Sequence, residues 1–333
     1  MLVSIAIVAY NGGDTLPSLL SDIVAQDYPK NLTEILLIDS MSSDNTESIM
    51  KEFAATHSEY FGIQLLKNEG KTLPYGCNVM LDNYKGDAIV RLDAHTSIPT
   101  DFISRGVEIL ESGEKISGGQ VVSICANETP LNKTLLIAEN SVFCGGVARF
   151  RRATEREYVD TMAFAFYRRE VYDVVGKYNE NLARTEDNDM SYRIGKAGFR
   201  FCLDPSIKSV RYNRSSFKAL LRQKYLNGYW IGKTMGINPH CFSLFHFVPF
   251  LFVLGIIGTC IFAAFGIWQL AALMWAAYAV AVIGATAFEI VKNEFKITNL
   301  LLPILFFLLH FCYGVGTLVG LIEMPFWLKG IKK

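Results

Sequence analysis

Val3-Ser-Ile-Ala-Ile-Val-Ala9, closed by Tyr10-Asn11, is the stretch on which the fold turns. It is apolar almost throughout and rich in β-branched residues. It lacks the basic flank and small-residue cleavage site of a signal peptide, so it reads as a buried strand. Working outward, Leu16, Leu19, Leu20, Ile23 and Val24 recur at helical spacing. The pair then repeats: an apolar run at Glu34 to Ile38, a helix at Thr46 to Phe53, a strand at Ile63 to Leu66, a helix at Pro74 to Tyr84 and a strand at Ala88 to Leu92. Alternation of this kind predicts an α/β domain whose parallel strands are joined by crossover helices.

In such sheets ligands bind beyond the carboxyl ends of the strands, where backbone groups are released from the ladder. Those ends carry Tyr10-Asn11, Asp39-Ser40 and Asp93-Ala94-His95. An aromatic ring, two carboxylates and an imidazole are thereby expected on one edge. Neither G-x-G-x-x-G nor G-x-x-x-x-G-K-[ST] occurs, and Gly70-Lys71-Thr72 has Leu65 where a phosphate loop needs its first glycine. No G-x-S-x-G or H-E-x-x-H is present either, which removes a hydrolase elbow and a zincin.

The second half of the chain is different in kind. Hydrophobic residues make up 51% of the chain and mean hydropathy is +0.25, and the excess lies at the end: between Cys241 and Ile322 the charged side chains are Glu289, Lys292, Glu294 and Lys296 alone. Three apolar segments, 242–265, 270–288 and 300–322, approach the roughly 20 residues that span hydrocarbon. The net charge of zero hides a basic run, Lys208, Arg211, Arg214, Lys218, Arg222, Lys224 and Lys233, with no acid between Ile207 and His240. Lying just before the first apolar segment, it suits anionic headgroups better than nucleic acid. Seven cysteines without a C-x-x-C pair fit a reducing compartment. The expected organisation is a catalytic domain over 1–214, a basic amphipathic interface segment over 215–240 and a transmembrane region over 241–333. The expected location is the plasma membrane, multi-pass, with the catalytic domain cytoplasmic.

Three constellations carry chemistry. Asp93 and His95, separated by one residue on a turn, can face a single cation, and a divalent ion there would neutralise a diphosphate leaving group. Imidazole in the pair suits Mn²⁺ better than Mg²⁺. Thr185-Glu186-Asp187-Asn188-Asp189 opens a helix with Met190 and Ile194 on its apolar side that should stop near Gly198. Acids in a first turn complement the helix dipole, and one of them is also placed to act as general base toward an acceptor hydroxyl. Arg149, Arg151 and Arg152 after Cys144-Gly145-Gly146 offer positive charge to phosphate or simply a basic loop.

In order along the chain, Val8-Ala9-Tyr10-Asn11, Gln26-Asp27-Tyr28-Pro29, Ile38-Asp39 with Asp44, Asp93-Ala94-His95 and Glu186-Asp187-Asn188-Asp189-Met190 resemble glycosyltransferase family 2, whose catalytic domain has the GT-A fold, a Rossmann-like mixed sheet. Val159-Asp160-Thr161, Leu203-Asp204-Pro205 and the run through Tyr229-Trp230 look like its succinoglycan glucosyltransferase branch. The resemblance implies that Ala9, Tyr10, Asn11, Asp39, Lys71 and Asp93 bind the nucleotide sugar, that Asp93 and His95 hold Mn²⁺ or Mg²⁺, and that Asp187 is the base with Glu186 beside it. Asp160, Arg149 and Trp230 would meet the acceptor. Processive members carry Q-x-x-R-W, whereas Gln223 here is followed by Lys-Tyr-Leu-Asn-Gly-Tyr-Trp230. The implied reaction is therefore a single, inverting addition from a UDP-sugar to a polyprenyl-diphosphate-linked glycan. The alternatives are a polyprenyl-phosphate glycosyltransferase and a non-catalytic nucleotide-sugar-binding membrane subunit.

Overall fold

The computed structural model describes residues 1–145, 149–213 and 216–331. Its first strand, β1 (Val3–Ala9), is followed by α1 (Leu16–Val24), β2 (Thr33–Asp39), α2 (Thr46–Thr56), β3 (Gly62–Lys67), α3 (Leu73–Asn83) and β4 (Ala88–Asp93). These match the expected alternation with boundaries moved by a residue or so, α2 alone running three residues beyond Phe53. The chain continues through β5 (Thr96–Ser97), α4 (Phe102–Glu111), β6 (Ile116–Cys125), α5 (Pro130–Asn140), β7 (Glu157–Val159), β8 (Phe166–Arg168), α6 (Arg169–Val175), α7 (Glu186–Lys196) and β9 (Phe201–Asn213). The sheet order is β3-β2-β1-β4-β8-β6-β9-β5, with β7 against β9. β1 to β4 are parallel, and the strands beyond β4 pair antiparallel. The sheet is therefore mixed.

Residues 1–124 and 148–212 form one compact unit and residues 125–147 and 213–333 a second. In the first, the two-residue period of the strands sends Ile5, Ile7, Ile35, Leu37, Val90 and Leu92 into a core beneath α1, α2 and α4. The alternate set, Ala6, Leu36, Ile38 and Ile89, packs beneath α3, α6 and α7. Both faces are covered, as the continuous apolar strands require. One carboxylate interrupts the run: Glu34, 1% exposed, accepts hydrogen bonds from Ser4 Oγ at 2.6 Å, the Lys85 backbone N–H at 2.7 Å and Gln64 Nε2 at 2.9 Å.

The second unit is helical: α8 (Phe217–Thr234), α9 (Val248–Ala264), α10 (Gln269–Lys292) and α11 (Leu302–Ile331). Leu244–Ala264, Gln269–Lys292 and Ile297–Ile331 are long and apolar enough to cross a membrane. At 30 residues, α11 is about 45 Å long, more than the hydrocarbon thickness needs. A Cβ on Gly228 would strike the Tyr313 carbonyl, and one on Gly316 or Gly320 the Tyr225 or Tyr229 carbonyl. Contacts of Gly228 with Tyr313, Gly232 with Thr317 and Gly236 with Met324 advance together, so α8 and α11 run side by side in the same direction, backbone to backbone. Segment 125–147 joins this unit through polar bonds. Thr134 Oγ1 meets Thr298 Oγ1 and Asn299 Oδ1 at 2.8 Å each, and His310 Nε2 meets the Phe143 carbonyl at 2.6 Å. His310 Nδ1 also meets the Tyr278 hydroxyl at 3.1 Å.

Candidate active site

Register builds the site before any side chain is considered. Ala9 pairs with Asp39, Val8 with Asp93, and Asp39 with Lys67, so the four parallel strands β1 to β4 release these residues along one edge. Asp39 follows Ile35 and Leu37 onto the α1–α2 face, whereas Asp93 follows Ile89 and Arg91 onto the α3–α7 face. The two carboxylates thus flank the sheet edge from opposite sides.

On the Asp39 side the loop after β1 is tied to the loop after β2. Asn11, at φ +49°, accepts from the Ser43 N–H at 2.9 Å through Oδ1, while its own N–H donates to Ser42 Oγ at 3.0 Å. The Gly12 N–H donates to Thr46 Oγ1 and the Gly13 N–H to Asp44 Oδ2. A Cβ at Gly13 would overlap the Asn45 side-chain amide, which would have to turn away. Ala9 is buried and its carbonyl accepts from the Ser40 N–H at 2.8 Å. Tyr10 stands 62% exposed above this edge. Asp39 is buried, accepting from the Ser42 N–H at 3.1 Å and lying 3.4 Å from Lys67 Nζ. Lys67 is also bridged to Glu47 at 2.9 Å. A small pocket lined by Leu37, Asp39, Glu47, Met50, Leu65 and Lys67 opens beside them. Lys71 is exposed at φ +59°, its N–H bonded to the Asn68 carbonyl.

On the Asp93 side, α7 starts at Glu186 because Met190 and Ile194 need burial against β4 and α3, and it ends at Lys196 with Gly198 at φ +87°. This seating separates two adjacent acids. Asp187 is 56% exposed, with Oδ2 3.4 Å from Arg91 Nη2. Glu186 is 4% exposed, and its buried Oε2 has no hydrogen-bond partner among the described residues. Burial, then the charge of Asp187, pushes the Glu186 carboxyl up to about 8, so at neutral pH it is largely protonated. Arg91 reaches past it from β4, its Nη1 donating to Cys77 Sγ at 3.2 Å. Burial pushes the Cys77 thiol up to about 12, keeping it neutral. Arg91 carries no role in the motif reading, yet a lone cation in the apolar strand Ala88–Asp93 was a visible signal, since such a charge needs a carboxylate.

Asp93 and His95 offer a carboxylate and an imidazole two residues apart, and the Asp93 carboxylate accepts no hydrogen bond from a described residue. That donor pair would suit a divalent cation. His95 Nε2 faces Arg211 Nε at 3.3 Å, a contact that a cation on that nitrogen would displace. Among the described residues no group of three or more His, Cys, Asp or Glu converges as a complete cage.

The residues expected at the acceptor are dispersed. Asp160 is exposed just after β7, and the neighbouring Thr161 Oγ1 accepts from Ser191 Oγ of α7 at 3.1 Å. The Arg149 side chain lies outside the described residues. Trp230 belongs to the helical unit, edge-on to Trp327 with Lys233 Nζ over its ring.

Comparison with known proteins gives this geometry a context. The family described as glycosyl transferase family 2 matches residues 4–176. The chain is 26% identical to the dolichyl N-acetyl-alpha-D-glucosaminyl phosphate 3-beta-D-2,3-diacetamido-2,3-dideoxy-beta-D-glucuronosyltransferase of Methanococcus voltae, over 96% of this chain and 97% of that one. It is 24% identical to the succinoglycan biosynthesis protein ExoA of Rhizobium meliloti, over 71% and 70% of the two chains. Among solved structures, a mannosyltransferase from Pyrobaculum calidifontis in complex with GDP-Man and Mn²⁺ aligns at TM-score 0.62 and 18% identity, covering 97% of this chain and 87% of that one. That likeness establishes the GT-A type of fold, with its helical tail.

Proposed function

Because the chain belongs to glycosyl transferase family 2 and is a glycosyltransferase, we propose that it transfers one sugar from a nucleotide diphosphate, UDP foremost, to a polyprenyl-diphosphate-linked glycan. The observation that carries this reading is Asp187: an exposed carboxylate, braced by Arg91, on the same face of the sheet as Asp93. Tyr10, Asn11 and Asp39 bind the nucleoside across the sheet edge, with the Ala9 backbone and Lys71 bordering it. Asp93 and His95 hold Mn²⁺ or Mg²⁺, which when bound supplies positive charge to the departing diphosphate. Asp187 takes the proton of the acceptor hydroxyl as its oxygen bonds to the anomeric carbon. The bond from that carbon to the phosphate oxygen breaks, its electron pair leaves with the nucleoside diphosphate, and the configuration inverts.

The nearly full-length similarity to an enzyme whose name specifies a dolichyl-phosphate-linked sugar acceptor supports a lipid-linked substrate here. The three apolar helices support action at a membrane. The catalytic unit lies on the cytoplasmic side of the plasma membrane in this reading, with Asp160, Arg149 and Trp230 serving the acceptor. The test is a panel of labelled UDP- and GDP-sugars offered to purified protein in detergent with polyprenyl phosphate or polyprenyl-diphosphate N-acetylglucosamine, with Mn²⁺, Mg²⁺ or EDTA. Labelling of the lipid-linked saccharide that stops with EDTA and with Asp187→Asn is the expected result. Labelling of bare polyprenyl phosphate alone would overturn the acceptor, and a fully active Asp187→Asn the base.

A further inference from the structure

Arg91 is a charged group on the Asp93 face that the reaction as written leaves without a task. It enters from β4 two residues before Asp93 and is mostly buried. The Cys77 sulfur at 3.2 Å on one amino group and Asp187 Oδ2 at 3.4 Å on the other hold its head between α3 and α7. The nearby groups are mostly neutral by burial: Cys77, Tyr167, Tyr172 and Tyr178. Glu186 too is pushed toward its uncharged form. The negative charges left to Arg91 are those of Asp187 and Asp93.

We infer that Arg91 is a positioning residue, a fixed guanidinium that holds the Asp187 carboxylate at the mouth of the site and sets the direction from which it meets the acceptor hydroxyl. This rests on Asp187 being the base. A planar fork anchored at one end by sulfur resists rotation in a way that a flexible ammonium does not, so orientation, and not charge alone, is what Arg91 contributes. Donor binding lies with Tyr10, Asp39 and Asp93, so loss of Arg91 should slow turnover while leaving the donor KM nearly unchanged.

The experiment is a cycle of Arg91→Met, Arg91→Lys, Asp187→Asn and Arg91→Met/Asp187→Asn on the full-length protein in detergent. Release of UDP is followed from UDP-glucose, UDP-N-acetylglucosamine and UDP-glucuronic acid with polyprenyl-diphosphate N-acetylglucosamine. Thermal melting of each variant is read alongside. Expected is a kcat fall of tenfold or more in Arg91→Met with donor KM within threefold, partial recovery on adding tens of millimolar methylguanidinium, an intermediate Arg91→Lys, and a double variant no slower than Asp187→Asn. Arg91→Met with wild-type kcat overturns the inference while a dead Asp187→Asn leaves the base reading standing. An active Asp187→Asn sinks the base reading and this inference with it. Should Arg91→Met not fold, Arg91→Lys decides: a raised KM with unchanged kcat means a structural role only. If no donor turns over, melting decides: additive effects of the two single changes mean that the pair does not couple, which overturns the inference.

Discussion

Glu186 makes the stability of the catalytic unit depend on pH in a direction opposite to that of most carboxylates. Its folded pKa is about 8 against an ordinary 4.5, so between those values the native state binds a proton that the unfolded chain has released. By linkage the associated stability is fully present below about pH 4.5 and is lost as pH rises through 8. At about 1.4 kcal/mol per unit the whole shift amounts to roughly 5 kcal/mol. Part of it comes from Asp187, which is 56% exposed and screened by water, so about 2–3 kcal/mol is the expected loss. Differential scanning calorimetry of the detergent-solubilised protein from pH 5 to 9 should show the catalytic transition falling by several degrees. In Glu186→Gln, which keeps the shape and removes the proton, the slope should be nearly flat. Equal slopes in the two proteins, or a wild-type transition that rises toward pH 8, would refute the assignment of a buried neutral carboxyl.

Glu34→Ala should cost about 2 kcal/mol, because it strands the buried Ser4 hydroxyl and takes an acceptor from the Lys85 N–H and the Gln64 amide at the edge of the interior. Chemical denaturation should show the loss, with the donor KM unchanged at temperatures where the variant is folded. Gly320→Leu should drive α8 from α11, since its side chain would meet the Tyr229 carbonyl. A lowered melting temperature and aggregation on size-exclusion chromatography would report it, and wild-type behaviour would contradict the backbone contact. His310→Leu leaves the Phe143 carbonyl and the Tyr278 hydroxyl without a partner. Limited proteolysis should then cut faster within 125–147, by a factor of about 5–30 if 1–2 kcal/mol is lost.

Much of this architecture is readable along the chain because its determinants are local. Short apolar runs in β1 to β4, a period of 3.6 in α1 and three long apolar segments are properties of neighbours, and so is the acidic first turn of α7 with its glycine stop. The candidate residues at strand ends were likewise visible, since any parallel strand delivers its last residues to the same edge. What sequence did not hold is which face and which partner. Asp39 and Asp93 flank opposite faces of the sheet because of the parity of their positions in two different strands. Segment 125–147 reads as part of the first domain, yet its bonds to Thr298, Asn299 and His310 place it in the helical unit. Arg91 meets Asp187 across 96 residues of chain. Adjacent acids acquire opposite character only when helix packing buries Glu186 and leaves Asp187 in water. Local pattern specifies the elements, but charge state and partnership follow from desolvation and proximity, which exist only once the elements have packed.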